Sequence, residues 1–166
     1  MAKQQPIEIF MPPNVLKVKV GGFGGIDAAA IKRAEAALEQ LKANFGDWLA
    51  QEIEMLAAAR TAYRDEPSEA KRAELFRAAH DLKGLGATYE FPIITRIAGS
   101  LCRMIEHVPA TATLPFGLVD AHVDAIRVAV RDQIRTVEHP AAAPLVGELE
   151  RQVDERIAQM AQADKA

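Results

Sequence analysis

Apolar side chains recur every three or four residues in six separate stretches of the chain, which is the spacing of an α-helix. Proline and glycine, which interrupt helices, stand between most of these stretches. Hydrophobic residues make up 49% of the 166 residues, with much alanine and leucine, whereas aromatic residues make up only 5%. The spacing and this composition predict an all-α protein with one domain, long enough to bury a real core.

Short loops join four of the predicted helices, and short loops place consecutive helices side by side in opposite directions. We therefore predict an antiparallel up-down four-helix bundle with additional helices at both ends. The four bundle helices are predicted at 47–64, 68–89, 92–107 and 115–138. The additional helices could cover the bundle, pair with each other or join two chains, and the sequence leaves these three arrangements open.

The predicted domain organisation has three parts. They are an arm at 1–26, the helical bundle with its preceding helix at 27–139 (core 47–139), and an amphipathic C-terminal helix at 144–162. The arm contains prolines and a glycine cluster that cannot continue a helix, and Val15–Val20 alternates weakly between apolar and polar residues. The arm is therefore predicted to be a flexible or extended segment.

Charge and hydropathy exclude several classes of protein. The net charge is −3 and no long run of lysine or arginine occurs, so we expect no nucleic-acid partner. No stretch of about 18 apolar residues is present to span a membrane, and the N-terminus lacks the basic and apolar regions of a signal peptide. Cys102 is the single cysteine, which excludes an internal disulfide. We expect a soluble, cytoplasmic protein.

One predicted helix exposes a histidine beside glycines. Leu82 belongs to the apolar face of this helix, and at about 100° per residue His80 lies roughly 160° away from it, so the imidazole points to water. Lys83 and Gly84 follow one turn later on the side of the histidine. Gly84 and Gly86 each occupy a position where alanine would stabilise the helix by about 1 kcal/mol more. Residues that destabilise an otherwise regular helix, such as these glycines, indicate a functional site.

The same helix carries a family resemblance. The segment Ala79–Gly84 reads Ala-His-Asp-Leu-Lys-Gly, Ala87 follows seven residues after the histidine, and Leu101–Glu106 lies on the next predicted helix. This pattern resembles the histidine phosphotransfer (HPt) domain of bacterial two-component phosphorelays. The resemblance covers about residues 47–139 of the chain.

The resemblance implies that His80 accepts a phosphoryl group in signal transduction. In this family the ring nitrogen Nε2 attacks the acyl phosphate of a receiver-domain aspartate, and a neutral imidazole has the lone pair for this attack. The implied partners are response-regulator receiver domains and a hybrid or histidine kinase. We expect no cofactor on this chain, because the receiver domain supplies magnesium. No nucleotide-binding or kinase segment is recognisable, so the chain would be a stoichiometric phosphocarrier and not an enzyme.

Five further residues are candidates for the site. Lys83 is expected to neutralise charge on the phosphoryl oxygens. Gly84 would leave clearance for the partner protein. Phe76, Arg77 and Ala87 are expected to contact the partner, with Phe76 as an exposed aromatic anchor one turn before the histidine. Phe76 could equally be partly buried against a neighbouring helix, and the sequence does not decide between the two.

Four other residues have structural interpretations. Gly86 lies nearer the apolar face and is predicted to give room for close helix packing. His107, His122 and His139 share no spacing that is typical of metal ligands, so we expect no metal site. His122 is predicted at a helical position among polar neighbours.

Two other functions remain open on the sequence alone. The bundle could bind a receiver domain without transferring phosphate and so sequester it. Alternatively, the chain could be the substrate domain of a chemotaxis-type histidine kinase that acts in trans. The combination of His80, Lys83 and Gly84 favours transfer over sequestration.

Removal of residues 1–26 is expected to leave phosphoryl transfer intact, because this arm precedes every predicted helix and contains none of the candidate site residues. The measurement is transfer of radiolabelled phosphate to the truncated chain and to the full chain. Loss of label from the truncated chain alone would show that the arm folds onto the site or helps the partner to dock.

Overall fold

The computed structural model describes residues 28–163, and all regular structure in that range is helical. The six helices are α1 (Ala28–Ala43), α2 (Phe45–Asp65), α3 (Glu69–Leu85), α4 (Pro92–His107), α5 (Phe116–Arg131) and α6 (Ala142–Ala163). The predicted all-α class is confirmed, whereas the predicted arm at 1–26 lies outside the described residues. None of the helices within 28–163 is long and apolar enough to cross a membrane.

The chain divides into two compact units, the first ending at Leu41 and the second beginning at Lys42. In the first unit, the described side chains of α1 are exposed. In the second unit, α2 contacts α3 and α5, and α4 contacts the same two helices, so α2–α5 form a closed ring of neighbours. Side chains from every helix of this ring are buried in one core. The largest from α4 are Ile94, Ile97, Leu101 and Met104.

The C-terminal helix α6 packs on α4 and α5. Val146, Leu149 and Val153 recur along one side of α6 and are buried. The Arg96 guanidinium on α4 donates two hydrogen bonds, of 2.6 and 2.7 Å, to the Glu150 carboxylate on α6. Of the three arrangements that the sequence left open, this helix takes the one that covers the bundle.

Two helix starts are explained by their local sequences. The Ser68 hydroxyl accepts a hydrogen bond of 3.3 Å from the Lys71 amide and so caps α3. Pro92 is the first residue of α4, where the missing amide hydrogen of proline costs no helical hydrogen bond. Both helices that contribute to the region around His80 therefore begin where their sequences favour a start.

Two predicted helix ends are wrong. The helix α3 ends at Leu85, earlier than predicted, and the chain then turns through Glu90, which has a φ of 64°. The helix α5 ends at Arg131, also earlier than predicted, and Gln133 follows with a φ of 54°. After Leu85, the Phe91 amide donates to the Gly86 carbonyl five residues earlier, so this segment forms turns and not a continuous helix. After Arg131, the positive φ of Gln133 lies outside the right-handed helical region, so α5 does not continue.

An arginine on α3 holds the end of α4. The Arg72 guanidinium donates hydrogen bonds to four backbone carbonyl oxygens, those of Ile105, Val108, Pro109 and Ala112. The first of these carbonyls belongs to the last turn of α4, and the others follow the helix. Carbonyls at a helix end lack partners within the helix. One side chain thus satisfies several of them and ties α3 to α4.

The prediction that His122 stands among polar neighbours is wrong for the folded chain, because its ring is fully buried on α5. Nδ1 lies 2.7 Å from the Leu118 carbonyl oxygen, which can only accept, so Nδ1 carries the proton. Nε2 then accepts a hydrogen bond of 3.0 Å from the Ser100 hydroxyl on α4. Burial lowers the pKa of His122, and the hydrogen bond to Leu118 opposes this shift only in part.

Acid is expected to destabilise the fold through His122. Because folding lowers the pKa of this imidazole, the unfolded chain binds more protons as the pH falls below about 6.5, and the free energy of unfolding falls with it. Urea unfolding at about pH 7.5 and about pH 5.5 should show this loss in the wild type and less of it in His122→Gln. His139→Gln, at an exposed position, is the control and should keep the wild-type dependence. Equal pH dependence in all three proteins would contradict this role.

Candidate functional site

The helix α3 presents His80 to solvent. Leu75, Ala79 and Leu82 are fully buried on the other side of the helix, and His80 is exposed. This arrangement agrees with the helical spacing of the sequence, which places the histidine far from the apolar face. The packing of α3 therefore holds the imidazole where another molecule can reach it.

The Phe76 ring lies beside the imidazole of His80. The two ring centroids are 5.9 Å apart, and the ring planes are inclined by 31°. Phe76 is partly buried and packs against the core. Of the two positions that the sequence left open, exposed or partly buried, it therefore takes the partly buried one. A neighbouring ring that is held by the core limits the rotamers available to the imidazole.

A groove of about 390 Å³ lies between α3 and α4 next to Phe76. Ala73 and Phe76 line it from α3, and Ile105 lines it from α4. Arg72 and Glu106 add polar groups to its wall. The groove is thus a largely apolar surface adjacent to the ring that contacts His80.

The Lys83 side chain extends to α4 at Gly99. Its Cδ and Cε atoms lie 3.9 Å from the position that a β-carbon on Gly99 would occupy, and the side chain is exposed. Burial raises the pKa of the Cys102 thiol to about 11; the Lys83 ammonium opposes this rise, and Glu106 adds to it. The sequence reasoning missed Gly99, although a glycine inside a helix is the signal that drew attention to Gly84.

The glycines at the end of α3 have opposite surroundings. Nothing lies within 4 Å of a β-carbon built on Gly84. A β-carbon on Gly86 would lie 2.7 Å from Thr95 Oγ1 and 2.8 Å from the Thr95 amide nitrogen. Gly86 therefore allows the close helix packing that the sequence predicts, and Gly84 leaves an open surface one turn from His80.

The remaining candidates lie outside the groove between α3 and α4. Arg77 is exposed and lines a second groove, between α2 and α3, together with Asp81 and Glu52. Burial raises the pKa of Glu52, and the charge of Asp81 adds to this shift. Ala87 is exposed in the turn that follows α3. The structure thus separates Arg77 from Phe76, although the two are neighbours in the sequence.

The histidines other than His80 do not join the site. His107 is exposed, and its Nδ1 lies 2.8 Å from the Arg103 carbonyl oxygen of its own helix. Within residues 28–163, no group of three or more His, Cys, Asp or Glu side chains could hold a metal ion. The site therefore consists of an exposed imidazole and a lysine one turn further along the same helix.

The model of the Hpt domain family matches residues 40–164, which include α2–α6. The chain belongs to the Hpt domain family. This family comprises helical phosphocarrier modules of two-component phosphorelays, so the chain has a histidine phosphotransfer role, and Hpt domains in general interact with response-regulator receiver domains and kinases. No curated protein and no solved structure matches the chain.

Alanine substitution of the two glycines should change stability in opposite directions. Gly84→Ala is expected to raise the free energy of unfolding by about 0.5–1 kcal/mol, because alanine is the better helix former and the position is open. Gly86→Ala is expected to lower it by about 1–3 kcal/mol, because the added methyl group would overlap Thr95. Urea unfolding measures both changes. A neutral Gly86→Ala would show that α3 and α4 are not in close contact at this point.

Proposed function

We propose that the chain relays a phosphoryl group between the aspartates of receiver domains, with His80 as the carrier. The observation that supports this most directly is the exposed His80 on α3, with Lys83 and the open Gly84 one turn further along, in a chain of the Hpt domain family. An aspartyl phosphate held in another protein can reach such an imidazole. The protein acts as a stoichiometric carrier and not as an enzyme.

The transfer forms one bond and breaks one. The lone pair on Nε2 of the neutral imidazole attacks the phosphorus of the aspartyl phosphate. The bond between phosphorus and the carboxylate oxygen breaks, and its electron pair remains on the departing aspartate. The other ring nitrogen keeps its proton, so the phosphorylated ring is cationic next to the anionic phosphoryl oxygens. Reversal of these steps passes the group to a second receiver domain.

Lys83 stabilises the phosphoryl group on His80. Its aliphatic stem lies at the Gly99 position of α4, and the exposed side chain follows the histidine by one turn. An ammonium attracts phosphoryl oxygens as a point charge and donates hydrogen bonds to them. Phosphoryl transfer depends mainly on positioning and charge neutralisation. The receiver domain supplies the magnesium ion for this, and we assign no metal site to this chain.

Two features of the surface let a receiver domain approach His80. The open surface at Gly84 leaves room for the backbone of the partner. The groove beside Phe76 and Ile105 offers apolar surface for its side chains. Arg77 and Ala87 extend the contact region along α3 and the turn after it. Buried aromatic and apolar side chains near the centre of an interface contribute most of its affinity.

We also propose that α2–α5 run alternately up and down as an antiparallel bundle. These helices contact one another in a closed ring, and short loops join them, at 66–68, 86–91 and 108–115. Short loops favour antiparallel neighbours. In this proposal the core of the domain corresponds to the predicted 47–139, and α1 and α6 are additions to it.

Transfer of radiolabelled phosphate from a phosphorylated receiver domain tests His80 as the carrier. The wild type should gain acid-labile label, and His80→Gln should gain at least about 100-fold less because glutamine lacks the nucleophilic nitrogen. His107→Gln is the matched control, since His107 is also an exposed histidine on a helix, and it should be labelled like the wild type. Label that persists on His80→Gln would show that another residue is the carrier.

The same proteins distinguish the two alternative functions. A receiver domain that binds the wild type in calorimetry but never labels it would identify a sequestering module. Labelling by a kinase catalytic domain with ATP, but by no receiver domain, would identify the substrate domain of a chemotaxis-type kinase that acts in trans.

A further inference from the structure

His80 differs from two other helical histidines in the way its ring is held. In His107 and in His122, Nδ1 donates a hydrogen bond to the backbone carbonyl oxygen four residues earlier, at 2.8 and 2.7 Å. Within residues 28–163, no group forms a hydrogen bond or an ion pair with the imidazole of His80. The orientation of this ring therefore depends on a different kind of contact.

The residue four positions before His80 is Phe76, and its ring lies against the imidazole. The ring centroids are 5.9 Å apart, and the ring planes are inclined by 31°. Aromatic rings whose centroids lie about 4.5–7 Å apart attract each other in offset or tilted arrangements. At His80, the side chain of the residue one turn earlier thus replaces the carbonyl oxygen that holds the other two rings.

The core holds the Phe76 ring in place. Phe76 is partly buried and packs against the core. Its ring also lines the groove between α3 and α4, together with Ile105 and Val108. Close packing keeps a side chain in one rotamer. The Phe76 ring is therefore a fixed surface beside an imidazole that is itself exposed.

We propose that Phe76 is a positioning residue for phosphoryl transfer, a role that rests on the proposed function of His80 as the carrier. The Phe76 ring holds the imidazole in the orientation from which its nitrogen attacks phosphorus, and it changes none of the bonds that form or break. An aromatic contact of this kind favours one orientation by about two- to tenfold. Because the attacking atom is then already oriented, the transfer step is faster by a similar factor.

Positioning is a different role from docking, although Phe76 also lines the groove that we assign to the receiver domain. A residue that only docks the partner changes the receiver concentration at half-saturation and leaves the rate constant at saturation unchanged. A residue that orients the imidazole changes the rate constant at saturation, because the loss persists after the partner has bound. The two roles can therefore be separated by measurement.

Single-turnover transfer from a phosphorylated receiver domain, over a range of receiver concentrations, makes this measurement. Phe76→Leu should lower the rate constant at saturation about two- to tenfold, because leucine is apolar but lacks the ring. Phe76→Tyr keeps the ring and should be faster at saturation than Phe76→Leu. Phe116→Leu is the matched control, since Phe116 is also a partly buried phenylalanine packed against the core, and it should transfer like the wild type.

A rate constant at saturation that Phe76→Leu leaves unchanged would overturn the positioning role. An equal loss in Phe76→Leu and Phe76→Tyr would also overturn it, because the ring would then not be the cause. Circular dichroism checks that each variant is folded.

NMR measures the orientation of the imidazole without any receiver domain. The three-bond couplings of the His80 side chain should show one predominant rotamer in the wild type and averaging in Phe76→Leu. Averaged couplings in the wild type, or couplings that Phe76→Leu does not change, would contradict the proposed contact. A wild type with one rotamer that no receiver domain labels would instead refute the proposed function of His80, so the two failures are distinguishable.

Discussion

The burial of one side of α3 determines the orientation of the site. Leu75, Ala79 and Leu82 have no exposed surface, and rotation of α3 to withdraw His80 from solvent would bring them out of the core. Full burial of a leucine contributes about 1.5–3 kcal/mol, so this rotation would be strongly unfavourable. The exposure of the imidazole is thus a property of the core packing and not of the histidine alone.

The helix α4 connects the site to the rest of the bundle. Thr95 contacts the end of α3 at the close approach that Gly86 allows, and the stem of Lys83 lies beside Gly99. Arg96 on the same helix binds α6 through Glu150. The helix α4 therefore contacts both α6 and the side chain of Lys83.

The sequence predicts the direction of a side chain when the period of its own helix determines that direction. It does not predict burial that depends on contacts with a second helix. The outward direction of His80 follows from the helical period alone. The burial of His122 could not be predicted, because Asp120 and Asp124 surround it in the sequence. Both aspartates instead approach Arg60 on α2, at 3.5 and 3.8 Å, while the histidine between them turns inward. The early ends of α3 and α5 likewise depend on turns, and the spacing of apolar residues does not show where a turn begins.

An exposed imidazole and a buried thiol lie on neighbouring helices of the site. Cys102 lies on α4 within the influence of the Lys83 ammonium, yet its side chain is only 2% exposed and its pKa is about 11. At neutral pH the sulfur is therefore a thiol, whereas oxidants and disulfides react with thiolates. An oxidant that modifies exposed, acidic cysteines should leave this pair of helices unchanged. The packing of α4 beside Lys83 is then insensitive to oxidants of this kind.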